Sequence, residues 1–135
     1  MRNRVTFTVV VVGSTGMLGT ALEYYLRTQG HTVHGVSRAE FEIGSDSLAR
    51  LDLTGVSYVI NAAGMINRRL TDDRHDLDAH FVNSLFPHLL ADYCESQGVR
   101  LIHISTDCVF DGTAGLYTEL ALPTAKDLYG RSKML

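Results

Sequence analysis

The chain has 135 residues, enough for one domain around a single core but short for an enzyme with a separate substrate lobe. A net charge of −3 and a pI near 6.0 leave no electrostatic footprint for nucleic acid or an anionic membrane. No apolar run is long enough to span a bilayer, and Cys94 and Cys108 lack metal-ligand spacing, so they read as reduced thiols of a cytoplasmic protein.

Met1-Arg2-Asn3-Arg4 faintly resembles the start of a signal peptide, but no small-residue cleavage site follows. Val9–Val12, four β-branched residues in a row, predicts a strand buried on both faces, as in a parallel sheet. Gly13, Gly16 and Gly19 follow at G-x-x-G-x-x-G spacing. Gly13 suits a tight turn, Gly16 a close approach of backbone N–H groups to a pyrophosphate, and Gly19 close packing of helix on strand. A Gly-rich turn with no ligand is the plainer alternative. Leu18, Leu22, Tyr25 and Leu26 then recur at helical spacing, and Gly30 closes that helix.

A second strand is predicted at Thr32–Val36. An acidic residue just after such a strand accepts from a ribose hydroxyl and repels a ribose phosphate. Here Ser37-Arg38 follows, which leans towards NADP unless Arg38 is an ordinary surface residue. Glu40–Ile43 reads as a third short strand, 46–51 as a brief helix, and Val56–Ile60 as a fourth strand. The turn Asn61-Ala62-Ala63-Gly64 suits either a cofactor wall or simple close packing. Met65–Asp76, with Arg68, Arg69, Asp72, Asp73 and Arg74, reads as a solvated loop.

A long helix is predicted from about Asp76 to Gln97. Leu77, Phe81, Val82, Leu85, Phe86, Leu89 and Tyr93 give it one broad apolar face, which suggests a homodimer contact, and Pro87 should kink it. Gly98 ends it, and Val99–Ile104 is the fifth strand. Strand and helix alternating in this way predict an α/β doubly wound parallel sheet, with ligands beyond the carboxyl ends of the strands. Gly13, Ser37, Ala62 and Ser105 all follow strand ends.

Ser105–Gly112 and then Tyr129-Gly130-Arg131-Ser132-Lys133 complete the candidate site. Tyr129 and Lys133 would lie one turn apart on a helix face, about 6 Å along the axis. An ammonium there favours the phenolate, so Tyr129 can exchange a proton with a carbonyl or alcohol oxygen that the Thr106 hydroxyl also holds. An exposed helix-surface pair is the alternative.

Gly13–Gly19, Asn61–Gly64, Ser105–Gly112 and Tyr129–Lys133, in that order, resemble the extended short-chain dehydrogenase/reductase superfamily. Within it, S-T-D-x-V-F-D-G followed by Y-G-x-S-K is most similar to the dTDP-4-dehydrorhamnose reductase family, over nearly the whole chain. The resemblance implies a Rossmann fold, NADP(H) as cofactor with NAD(H) as the alternative, and reduction of a keto group on a nucleotide-activated sugar. It matches Thr106, Tyr129 and Lys133 to the catalytic trio, with Tyr129 and Lys133 also beside the cofactor. Gly13, Thr15, Gly16, Met17 and Leu18 match the phosphate loop, while Ala62, Ala63 and Gly64 match a cofactor-lining turn. Ser37 and Arg38 stand at the adenosine end, and Asn83 matches a common family asparagine.

Two departures stand out. Cys108 occupies a position beside the sugar where many members have an aromatic residue, and the sequence ends two residues past Lys133. The expectation is therefore an N-terminal part, with the sheet cut after about five strands and the substrate lobe absent. The alternatives are an epimerase of the same superfamily and a non-catalytic NADP-binding regulatory subunit. Dehydration is disfavoured, because Cys108 stands where the similar dehydratases carry a carboxylate.

Overall fold

The computed structural model of the chain describes residues 5–66 and 75–134. The basic start, residues 1–4, and the charged loop residues Arg68, Arg69, Asp72, Asp73 and Arg74 lie outside the described residues. The chain divides into two compact units, the first holding the residues up to Ala63 together with Pro87–Ile104, the second holding Gly64–Phe86 and the residues from Ser105 onward.

The first unit is built on a parallel sheet. Its strands are β1 (Thr8–Val12), β2 (Thr32–Val36), β3 (Tyr58–Asn61) and β4 (Arg100–His103), in the order β2-β1-β3-β4. The last rungs pair Val12 with Val36 and with Asn61, and Asn61 with His103. Gly13, Ser37 and Ala62 therefore leave the sheet together at its carboxyl edge. Val9–Val12 are all buried, as a central strand covered on both faces requires. Val9, Val11, Val33 and Ile60 form one face, packed by Leu22 and Leu26 of helix α1 (Met17–Thr28). Leu18 and Tyr25 of the predicted apolar stripe are instead exposed, since α1 buries only a narrow seam and Leu18 sits in its first turn.

Helix α1 ends as its glycine foretells. Gly30 has φ +88°, its N–H donates to the Arg27 carbonyl at 3.0 Å, and the His31 N–H donates to Leu26 at 3.1 Å, the two bonds of a Schellman cap. Gly98 ends helix α3 (Phe86–Ser96) in the same way, with bonds from Gly98 to Glu95 and from Val99 to Cys94.

The third predicted strand does not form, and among the described residues the sheet has four strands rather than five. Over Glu40–Ile43 the chain turns back repeatedly: Glu40 and Phe41 N–H groups donate to the Ser37 carbonyl, and Ser45 and Asp46 to that of Glu42. The Glu40 and Asp46 carboxylates capture the N–H groups of Ser37 and Glu42, both at 2.7 Å. Side chains that satisfy the backbone locally remove the donors a strand needs. The helix expected at 46–51 shrinks to a single 3₁₀ turn, Leu48–Arg50, capped by Ser47.

The long helix is likewise not uniform. Helix α2 (His75–His80) leads into a π-helical turn, Phe81–Leu85, before α3. The Phe86 N–H reaches back five residues to the Phe81 carbonyl, just ahead of Pro87, which has no N–H to offer. In the second unit α2 and this π turn pack against helix α4 (Leu128–Met134). Among the described residues, no helix is long and apolar enough to cross a membrane.

Candidate active site

The first unit carries the glycine turn that the sequence predicts. Gly13 has φ +84°, a conformation that L side chains rarely adopt, and a Cβ there would lie 2.8 Å from the Ala63 amide nitrogen. Its N–H and that of Ser14 both donate to the Val36 carbonyl, at 2.9 and 3.2 Å, tying the glycine turn to the end of β2. A Cβ on Gly19 would overlap the Gly13 carbonyl oxygen and stand 2.8 Å from the Ser14 Cα. Gly13 and Gly19 are thus demanded by packing. Gly16 is held less tightly: its φ of −73° is open to any residue, a Cβ there would meet the Gly13 carbonyl oxygen at 3.3 Å, and the glycine leaves bare backbone on an exposed face. It caps α1 without a side-chain hydrogen bond, and no acidic residue lies in the first turn. The N–H groups there and the positive end of the helix dipole fit the phosphates of a dinucleotide. Thr15, Met17 and Leu18 ring this mouth, with Met17 94% exposed.

At the end of β2 the sequence offered Ser37 and Arg38 with no acid after them. Folding supplies one. The Glu40 carboxylate swings back to accept from the Ser37 N–H at 2.7 Å, and Glu42 takes the Arg38 guanidinium in a two-pronged pair at 2.6 and 2.8 Å. Bonds from the Ser37 amide and hydroxyl hold the Glu40 carboxyl below the usual range, and Arg38 does the same for Glu42. At the end of β3, Asn61 is fully buried; its Oδ1 accepts from the Ala63 N–H at 3.1 Å and fixes the Ala62–Ala63 turn. Its Nδ2 is a buried donor with no protein partner among the described residues.

The second unit holds the remaining candidates. Tyr129 and Lys133 both lie on α4, half-buried, at the spacing the sequence predicts. The Asp127 carboxylate caps that helix by accepting from the Gly130 N–H at 3.0 Å. Gly130 is buried, and a Cβ there would overlap the Cys108 carbonyl and meet the Ala125 Cβ at 2.5 Å, so a glycine lets α4 press onto the 3₁₀ turn Asp107–Val109. Thr106 caps that turn, its Oγ1 accepting from the Cys108 N–H at 3.2 Å. Cys108 is exposed beside Phe110 and Tyr117, whose rings stack at 4.3 Å, and together with Asp107 they line a cavity of about 480 Å³.

Asn83 joins these parts. It lies in the π turn, 3% exposed, and its Oδ1 accepts from the Met65 N–H at 2.8 Å. Its Nδ2 donates to the Met65 carbonyl and to the Ser132 Oγ, both at 2.9 Å. Ser132 in turn donates to the Tyr129 carbonyl at 2.9 Å, and the Ser84 hydroxyl donates to the Ser132 carbonyl at 2.5 Å. The turn at Gly64–Met65 and the helix bearing Tyr129 and Lys133 are therefore tethered through one amide. Gly64 leaves room for the lysine: a Cβ there would sit 3.5 Å from Lys133 Nζ and 3.4 Å from Asn83 Oδ1. Burial pushes the Lys133 ammonium below its ordinary pKa. Sequence reasoning named Asn83 only by resemblance and passed over Ser84 and Ser132. A serine directly before the lysine was the available signal.

Comparison with known proteins bears on the whole arrangement. A family model described as the RmlD substrate binding domain matches residues 7–135. The chain is 34% identical to the probable low-salt glycan biosynthesis reductase Agl14 of Haloferax volcanii, over 92% of this chain and 45% of that protein. It is 31% identical to the dTDP-4-dehydrorhamnose reductase of Mycolicibacterium smegmatis, over 93% of this chain and 39% of that protein. The crystal structure of dTDP-4-dehydrorhamnose reductase from Bacillus anthracis, in complex with NADP, superposes with a TM-score of 0.82 at 24% identity, over 97% of this chain and 48% of that one. The chain thus spans about half the length of the relatives it matches. With a family model covering nearly all of it, the chain belongs to the RmlD substrate binding domain family, and the relatives it matches include dTDP-4-dehydrorhamnose reductases.

Proposed function

We propose that this chain supplies the cofactor cradle and the proton donor of a reductase acting on the keto group of a nucleotide-activated deoxysugar. The observation that carries the reading is the tethered α4 helix, which presents Tyr129 one turn from a half-buried lysine. Gly13, Thr15, Gly16, Met17 and Leu18 would hold the cofactor phosphates, Ser37 and Arg38 its adenosine end, and Ala62, Ala63 and Gly64 its flank. NADP(H) is the preferred cofactor and NAD(H) the alternative; when bound, it supplies the hydride.

The chain's own residues handle the oxygen left behind. Negative charge builds on the carbonyl oxygen as its carbon is reduced, and Tyr129 delivers a proton to it. The Lys133 ammonium stabilises the phenolate that remains, and the Thr106 hydroxyl donates to the same oxygen. The cavity beside Cys108, Phe110 and Tyr117 would receive part of the sugar nucleotide. The net charge of −3 speaks against a nucleic-acid partner, and the free thiols Cys94 and Cys108 suit the cytoplasm. Exposed Leu77, Leu85 and Leu89 support a homodimer through the helical stretch.

The test compares Tyr129→Phe with the parent in the longest natural product containing these residues, using NADPH and a nucleotide 4-keto-sugar. We expect kcat to fall by about 10²–10⁴ while cofactor affinity is kept. Near-normal turnover would remove Tyr129 as the acid.

A further inference from the structure

We infer that Glu40 is a cofactor-selecting residue, a carboxylate placed to accept from the ribose 2′-hydroxyl of NADH and to oppose the 2′-phosphate of NADPH. The inference rests on the dinucleotide site proposed above and concerns its adenosine end. Three observations carry it. The Gly13 and Ser14 N–H groups are bonded to the Val36 carbonyl, so Ser37 follows directly on the glycine turn that would hold the pyrophosphate. The Ser37 N–H, the first past the end of β2, is held by the Glu40 carboxylate at 2.7 Å. Arg38, the cation that would attract a phosphate, is paired with Glu42 through both Nε and Nη2.

A 2′-phosphate entering here must take the Ser37 N–H from one carboxylate and Arg38 from another, with both negative charges remaining close by. A 2′-hydroxyl meets no such opposition, because it donates to Glu40 instead. The turn thus does with a residue three positions after Ser37 what an acid at the strand end does elsewhere. Arg38 pulls one way and Glu40 the other, which makes the site a dual-cofactor site rather than a strict NADP site. Glu42 differs from Glu40 in its role: it restrains Arg38 and has no bond to Ser37 among those described.

The experiment titrates NADPH and NADH into the 135-residue chain, by calorimetry, for the parent, Glu40→Gln and Glu42→Gln, with circular dichroism to establish that each is folded. Glu40 is exposed, and glutamine keeps its length and an acceptor oxygen, so the fold should hold. In Glu40→Gln we expect NADPH to bind about tenfold more tightly and NADH somewhat more weakly, with the difference shrinking at high salt. Glu42→Gln should tighten NADPH alone. If both cofactors bind but Glu40→Gln leaves their affinity ratio within about twofold of the parent, the inference is overturned while the dinucleotide site stands. If neither binds the folded parent, the site itself is lost and the inference with it.

Discussion

Removing the Asn83 amide should cost more than any surface change in this chain. Asn83→Ala deletes three hydrogen bonds, two to the Met65 backbone and one to the Ser132 hydroxyl. Each is worth about 1 kcal/mol net, and a buried group left unpaired costs about 1–3 kcal/mol. Ser132 is fully buried but keeps its bond to the Tyr129 carbonyl, so it loses only one partner. The sum is about 3 kcal/mol, or a fall in Tm of about 10 °C for a chain of this size. Asn83→Asp should be at least as damaging at neutral pH, because a carboxylate oxygen then faces the Met65 carbonyl. Its carboxyl pKa in the folded chain would be raised above the unfolded value. Stability lost at neutral pH should accordingly return as the pH falls through that raised pKa and the protonated acid donates to Met65. Thermal unfolding by circular dichroism between pH 4 and 7, with hydrogen exchange at the Met65 amide, reads both effects. A fall in Tm of less than about 2 °C for Asn83→Ala, with Met65 exchange unchanged, would show that the tether carries little.

Gly13→Ala combines left-handed strain with a clash against Ala63, whereas Gly30→Ala, at φ +88° with nothing within 4 Å, carries strain alone. We expect urea unfolding to show a loss of about 2–4 kcal/mol for the first and about 1 kcal/mol for the second; equal losses would refute the packing argument. Lys133→Met should match or exceed the parent in stability at pH 7 while abolishing turnover, because it removes a charge that burial disfavours. The unfolded lysine binds a proton more readily than the folded one, so parental stability should rise with pH between the lowered folded pKa and the ordinary value of 10.5. Urea midpoints at pH 7 and pH 10 test this: Lys133→Met should lack the rise, and a midpoint well below the parent at pH 7 would contradict the reasoning.

Patterns carried by the backbone itself were legible in the sequence. The β-branched run gave β1, the glycine spacing gave the turn and the start of α1, and β2 fell at Thr32–Val36 as expected. Period and turn chemistry act over a few residues, and here nothing competed with them. The segment Glu40–Ile43 failed for the opposite reason. Its alternation suits a strand, but Glu40, Glu42 and Asp46 meet donors three and four residues away, and charged acceptors close at hand outcompete a ladder with a distant partner. The same blindness hid the acid at the end of β2, since Glu40 is not adjacent to that strand in sequence and reaches Ser37 only after the chain has turned. Asn83 and Ser132 are 49 residues apart, and neither stands out in composition or period. Their bond exists only because α4 packs against the π turn.

That π turn also sets a rule for what the chain tolerates. A helix that bonds to the fifth residue instead of the fourth holds one residue more than the same length of regular helix. Deleting any single residue of Phe81–Leu85 would let the backbone relax into an ordinary α-helix without breaking it. The helices on either side would keep their phase, because the wide turn is what absorbs the extra residue; what changes is the direction of the side chains within the turn. A loss that leaves the helix content and both flanking helices intact would then re-aim the residues of the turn alone, and the amide that reads both Met65 and Ser132 could no longer address the two at once. Length here is part of the site's addressing, and a one-residue gap in this stretch of any relative would mark a protein that positions its lysine by other means.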